Sequence, residues 1–257
     1  ILDLEDAVSP DAKELARKQV CEAVVAGGFG HREIAIRVNG LDTPWGHDDL
    51  KAAAAAKPDA ILVPKISSAA MIHEIEGLLD KAGAASHTRL WAMMETPLGI
   101  LRALEVAGAS KRLAVLVMGT NDIAKELHAT HVAGRVPLLG SLSTCLLAAR
   151  AHGLVILDGV YNDIKDPEGF EAECLQGRQM GFDGKTLIHP SQIDSANAVF
   201  APSAEEIARA RAVIAAFALP ENAGKGVIKV DGRMTELLHL EQAKRAVAVV
   251  EAIEGLC

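Results

Sequence analysis

The chain has 257 residues, half of them apolar and 3% aromatic, and its 34 acidic and 26 basic side chains leave a formal net charge of −8. That length suits one α/β barrel or two smaller domains around an aliphatic core. The absence of a basic stripe and the scarcity of aromatics exclude a nucleic-acid reader, and no uncharged apolar run approaches the roughly 18 residues of a membrane span.

The chain opens inside an apolar run, ILDLEDAV, with no methionine before it, so an upstream segment is expected outside this sequence. Short β-like runs then alternate with longer helical patterns. Strands are expected at Ile1–Leu4, Glu33–Val38, Ala60–Pro64, Arg89–Met94, Ala114–Met118, Val155–Leu157 and Gly184–Ile188. Helices are expected between them, including Pro10–Gly27, Ser68–Ala82, Pro97–Ala107 and Glu168–Met180. Pro10 and Pro97 suit a first helical turn, and Gly27 and Gly181 suit helix ends. After His189 the pattern becomes helical at Gln192–Ala198, Ala204–Leu219 and Glu236–Glu254, with the glycine-rich GKGVIKVDGRM before the last as a small hairpin. Residues 1–200 are therefore expected to form a barrel domain and 201–257 a C-terminal helical extension.

Strand–helix alternation implies a parallel sheet with helical crossovers. An eighth strand upstream of Ile1 would complete a TIM (β/α)8 barrel of the usual size. A doubly wound sheet is the rival, although no G-x-G-x-x-G follows the first strand. In IAIRVN, Ile34, Ile36 and Val38 share one face and Ala35 and Arg37 the other. The aliphatics then pack on helices, and Arg37 faces the barrel axis. Polar residues recur at strand C-terminal ends: Glu5 and Asp6, Arg37 and Asn39, Lys65, Glu95, Asn121 and Asp122, Asp158, His189. Barrel enzymes place their chemistry at that rim.

Glu95 and Asp122 end consecutive strands, about one βα unit apart. Two adjacent carboxylates are a typical protein share of an octahedral Mg²⁺ site. The other reading makes Asp122 a helix N-cap and Glu95 a surface charge. An inward Arg37 needs an anion, either a structural partner such as Glu5 or Asp6 or a substrate carboxylate. The GTND turn offers backbone N–H groups at a helix N-terminus, which favours anions. His189 is placed at the rim as a positioning residue, and the other histidines share no spacing. No G-x-S-x-G esterase elbow occurs. Cys21, Cys145, Cys174 and Cys257 form no C-x-x-C pair, so reduced thiols in a cytoplasmic protein are expected.

The ordered segments LDLEDAV, IRVNG, Pro64-Lys65, ETP, GTNDIAKEL and GFDGKTLIHPSQI resemble the citrate lyase β-subunit and malyl-CoA lyase family of the HpcH/HpaI aldolase superfamily. The resemblance runs from Ile1 to about Asn197. It implies a TIM barrel, Mg²⁺ on Glu95 and Asp122, and Arg37 on the oxygen of a 2-keto acid with Glu5 and Asp6 in support. It implies that the backbone of Gly119, Thr120 and Asn121 holds the keto-acid carboxylate. It further implies a homotrimer or hexamer in which a neighbouring subunit supplies an acid/base. The family has aspartate in a G-[KR]-M-x-D segment there; this chain reads Gly232-Arg233-Met234-Thr235-Glu236, with Asp231 nearby. The implied activity is a Mg²⁺-dependent CoA-ester lyase making or breaking a C–C bond in a malyl-, citramalyl- or citryl-CoA-type thioester. The alternatives are a malyl-CoA thioesterase, a class II aldolase on free hydroxy-keto acids, and a catalytically weak CoA-ester-binding paralogue.

Overall fold

The structure, a computed structural model, describes residues 1–255. Contacts divide the chain into two compact units, Ile1–Ala196 and Asn197–Cys257, taken separately below.

The first unit alternates strands and helices: β1 (Leu2–Asp3), α1 (Lys13–Ala26), β2 (Ala35–Arg37), α2 (Gly46–Ala56), β3 (Ala60–Val63), α3 (Ala69–Lys81), β4 (Arg89–Met94), α4 (Pro97–Leu101), α5 (Ala103–Ala107), β5 (Leu113–Met118), α6 (Thr120–Glu126), α7 (Leu139–Ala151), β6 (Val155–Asp158), α8 (Pro167–Met180), β7 (Gly184–Lys185) and α9 (Ile193–Phe200), the last running across the boundary. The seven strands pair in chain order, and each pair is parallel. All seven expected strands are present in the expected order. The curled parallel sheet is consistent with a TIM-like barrel, but the barrel is not closed: among the described residues β1 and β7 are the edges of a seven-stranded sheet.

Strand parity separates two faces, as the alternation in IAIRVN predicts. Ile36, Ile61, Leu90 and Leu116 are fully buried. The opposite parity gathers Ala35, Ala60, Leu62, Trp91, Met93, Val115 and Val117 into one apolar cluster. Burying a side chain such as Leu62 contributes roughly 1.5–3 kcal/mol. Arg37 follows Ala35 on this same face, directly beside Leu62 in register.

Helix starts follow local chemistry. Thr96 Oγ1 accepts from Gly99 N–H at 3.0 Å, with Pro97 in the first turn of α4. Glu95 is thereby caught between the end of β4 and a capped helix start, which holds it at the rim. The helix expected over Pro97–Ala107 divides at Arg102, whose φ of −106° and ψ of 16° leave the helical basin. Pro10 opens a short 3₁₀ turn before α1. Cys145 and Cys174 are buried free thiols, Cys21 is a half-buried one, and Cys257 lies outside the described residues. Burial pushes the Cys145 thiol up to about 12 and that of Cys174 to about 11, so both stay protonated and unreactive at neutral pH.

The second unit contains α10 (Ala204–Ala218), β8 (Val227–Val230), β9 (Arg233–Glu236) and α11 (Leu237–Glu254). The expected hairpin is present, antiparallel from Val227↔Glu236 to Val230↔Arg233. Its turn residues Asp231 and Gly232 both have positive φ, 48° and 80°, as a two-residue hairpin turn of the Asp-Gly kind requires. Ala210, Val213 and Ala243 form the buried centre of the α10–α11 pair. Among the described residues no helix is long and apolar enough to cross a membrane.

Candidate active site

The C-terminal ends of the strands in the first unit surround a cavity of about 520 Å³. Its floor is Leu62, Met93 and Met118, and its polar walls include Asp3, Asp6, Arg37, Glu95, Gly119, Thr120, Asn121 and Asp122. An apolar base with a few convergent polar groups is the usual form of a small-molecule site.

One wall is built by β1 and β2. Leu4 is fully buried on the helix side, so the alternating Asp3 and Glu5 take the other face. Asp3 lies beside Arg37 in register. Arg37 Nε donates to Asp3 Oδ1 at 2.6 Å and Nη2 to Asp3 Oδ2 at 2.6 Å. Nη1 donates to Asp6 Oδ2 at 3.3 Å and stands 3.0 Å from Glu5 Oε2. That second contact is an ion pair only, because Glu5 Oε2 is buried without a hydrogen bond. The expected partners Glu5 and Asp6 are thus present, but the bidentate one is Asp3, which the sequence reading did not name. Its signal was available in the LDLED alternation.

Burial would raise the Asp3 carboxyl, but the hydrogen bonds and charge of Arg37 outweigh it and hold Asp3 below the usual range. Glu5 goes the other way. Burial pushes it up to about 7, and the nearby Arg37 charge offsets this only in part. Glu5 does not line the cavity; it lies behind Arg37, with Lys65 Nζ 3.7 Å from its Oε1.

The other wall is built by β4 and β5. Glu95 is 2% exposed, and its Oε1 accepts from Lys65 N–H at 2.7 Å. Lys65 aims that N–H from a left-handed conformation, φ 55°, a strained state that the surrounding structure must hold. Gly119 lies against the same carboxylate, where a Cβ would collide with it. Burial first, then the Glu5 charge, push the Glu95 carboxyl up to about 8. Asp122 is half-buried in the first turn of α6, where Gly119 is the N-cap. The N-cap alternative for Asp122 is therefore not what is found.

A buried carboxylate with one hydrogen bond and carboxylate neighbours suits a divalent cation, which would remove the cost of its charge. Among the described residues no group of three or more His, Cys, Asp and Glu side chains has metal-holding geometry. Glu95 and Asp122 both line the cavity, and two carboxylates would suit a hard ion that keeps several waters or substrate oxygens.

The GTND turn offers fewer donors than expected. Gly119 N–H donates to Met94 O at 3.1 Å and belongs to the strand ladder. Asn121 and Asn162 exchange side-chain amide hydrogen bonds at 3.1 and 2.7 Å across the rim. Three other rim residues are structural. Asp158 is fully buried and accepts from Arg135 Nη1 at 2.7 and 2.8 Å. Asn39 is held by Asp49 Oδ2 at 2.6 Å. His189 Nδ1 accepts from Ser191 N–H at 3.2 Å as a cap and does not line the cavity. Glu236 belongs to the second unit, at the end of β9, and its N–H donates to His239 Nδ1 at 2.9 Å.

Residues 1–190 match the HpcH/HpaI aldolase/citrate lyase family. The chain is 52% identical over 253 residues to a (3S)-malyl-CoA thioesterase of Cereibacter sphaeroides, covering 98% of this chain and 86% of that protein. It is 32% identical over 278 residues to the L-malyl-CoA/β-methylmalyl-CoA lyase of Cereibacter sphaeroides, covering 99% and 87%. Among solved structures it resembles CitE of Mycobacterium tuberculosis in complex with magnesium, acetoacetate and coenzyme A, with a TM-score of 0.77 and 30% identity over 96% of this chain and 87% of that one. A C–C lyase as the leading assignment is overturned by these identities, because the thioesterase is far more similar than the lyase across nearly the same length. On the family match and these near-full-length identities, the chain belongs to the HpcH/HpaI aldolase/citrate lyase family.

Proposed function

We propose that the chain hydrolyses a malyl-CoA-type thioester at this cavity, with Mg²⁺ held by Glu95 and Asp122. The observation that carries the reading is the 52% identity to a (3S)-malyl-CoA thioesterase over 98% of the chain. The buried, metal-suited Glu95 supports it. A bound Mg²⁺ would polarise substrate oxygens and fix their position.

In this reading the remaining work falls to side chains and backbone. Asp3 locks the Arg37 guanidinium in one plane, and Glu5 and Asp6 hold its third nitrogen, so Arg37 is preorganised to meet the oxyanion that forms at the thioester carbonyl. Thr120 and Asn121 present backbone N–H groups to the malyl carboxylate. Water attacks the thioester carbon, the C–S bond breaks, and the proton lost by water reaches the departing sulfur by way of a carboxylate. Glu236 of a second copy is assigned that transfer. The apolar residues beside it, Met234, Leu237 and Leu238, are 73%, 51% and 52% exposed and support docking of this tip on another chain. The active assembly is then a homotrimer or hexamer.

Malyl-CoA with the Mg²⁺-loaded protein should yield free CoA thiol and malate in equal amounts, without glyoxylate. Stoichiometric glyoxylate and acetyl-CoA would reverse the reading. Mixing Asp122→Asn protein with Glu236→Gln protein, each nearly inactive, should restore activity to roughly a quarter of the parental value if each site draws on two chains. A mixture no more active than its components would remove Glu236 from the site.

A further inference from the structure

Behind the β1 wall lies a buried cation that the proposed reaction does not use. Lys13, the first residue of α1, is only 6% exposed. Its Nζ donates to Leu4 O at 2.8 Å and to Glu5 O at 2.7 Å. It also stands 5.4 Å from the centre of the Trp45 ring. Two carbonyls and one ring face are its partners among the described residues, and none of them is a carboxylate.

Such an ammonium is an expensive way to fill space. Burying a charge without a counter-ion costs several kcal/mol, and an apolar side chain of similar volume is often as good or better for stability. The ammonium does supply a fixed grip on two consecutive carbonyls. These carbonyls belong to the turn that carries Asp3, Glu5 and Asp6 around Arg37. The same turn is held from its other side, where Asp3 Oδ1 accepts from Glu5 N–H at 2.9 Å and Asp3 Oδ2 from Ala7 N–H at 3.0 Å. Leu4 O has a second donor, Asn39 Nδ2 at 2.8 Å. Glu5 O has Val8 N–H at 3.1 Å. Asp3 thus gathers the N–H groups of the turn and Lys13 gathers its carbonyls.

We propose that Lys13 is a positioning residue that sets the Glu5 carboxylate against Arg37 by clamping the Leu4 and Glu5 carbonyls. It acts through the backbone. The charges that bear on the Glu5 carboxyl are those of Arg37, Asp6, Lys65 and Asp3, and the Lys13 ammonium faces the carbonyl side. The inference rests on the reading of this cavity as a thioester-hydrolysing site.

A kinetic double-mutant cycle on the full chain with Mg²⁺ and malyl-CoA tests it, pairing Lys13→Met with Glu5→Gln. Lys13→Met should lower kcat by about tenfold or more, with KM and the Mg²⁺ activation constant within about twofold. In the Glu5→Gln background the same change should lower kcat by less than about threefold, because the group being positioned has lost its charge. Lys13→Arg, which keeps a cation and its donors, should retain more kcat than Lys13→Met. Should Lys13→Met fail to fold, Lys13→Gln enters the cycle with the same thresholds. An unchanged kcat, or an equal loss in both backgrounds, would overturn the role. Parental kcat in Glu5→Gln alone would also overturn it, and would locate the error in the assignment of Glu5 to the site.

Discussion

Glu95→Gln and Asp122→Asn should each reduce Mg²⁺-dependent thioester hydrolysis on the order of a thousandfold, the several kcal/mol expected when a hard cation loses one of two anionic ligands. Stability should report the same site without reference to turnover. The folded Glu95 carboxyl sits at about 8 against an ordinary value of 4.5. A carboxyl raised on folding favours the native state below its unfolded value, and that contribution is lost as pH rises through the folded one. The metal-free protein should therefore lose stability between about pH 4.5 and 8. Glu5, raised to about 7, adds in the same sense.

Mg²⁺ binds the charged form, so it should raise Tm more at pH 8.5 than at pH 6. Thermal melts with Mg²⁺ and with a chelator at both pH values measure this directly. In Glu95→Gln the upward Tm shift should nearly vanish and the pH-dependent loss should flatten. A variant that keeps full activity or the full Mg²⁺ shift would remove Glu95 from the metal site.

Arg37→Met should be the most destabilising single change near the cavity, at about 3–5 kcal/mol by urea denaturation, because it strands a cluster of carboxylates without their cation. Asp3 and Glu5 are its closest partners, with side chains only 19% and 10% exposed. The deficit should depend on pH. Asp3 is held below its ordinary value by Arg37, so its contribution is present above the unfolded value and is lost as pH falls through the folded one. The gap between Arg37→Met and the parent should then shrink below about pH 4, as the carboxyls protonate in both. Arg37→Lys should recover part of the stability but little of the activity, since a point charge cannot make the bidentate contact with Asp3. A full-strength Arg37→Met protein at pH 7 would show that the three carboxylates are not balanced by this guanidinium.

Periodicity and residue type in the chain by itself determined the order of seven strands, the inward parity of Arg37, the positions of Glu95 and Asp122 at consecutive strand ends, and the Asp-Gly hairpin before Glu236. These are local properties. Side-chain alternation follows from backbone geometry, and a proline or glycine acts on its own φ. The ordered motifs also carried the family. What they did not carry was the choice between lyase and hydrolase, since relatives of both activities match nearly the whole chain and only the degree of identity separates them.

Only the tertiary structure decided which neighbours satisfy which charges. Asp3 became the bidentate partner of Arg37 through the β1–β2 register, and register is set by pairing between distant segments. Asp158 and His189 stand with Glu95 among the polar residues at strand ends, yet Arg135 takes up the first and a turn cap the second. Lys13 carries no motif of its own, and it is the fold that buries its ammonium against the Leu4 and Glu5 carbonyls. A carboxylate at a strand end has the same sequence signature whether it meets a guanidinium, a backbone N–H or an open cavity; long-range packing sets its desolvation and its partners, and with them its chemistry.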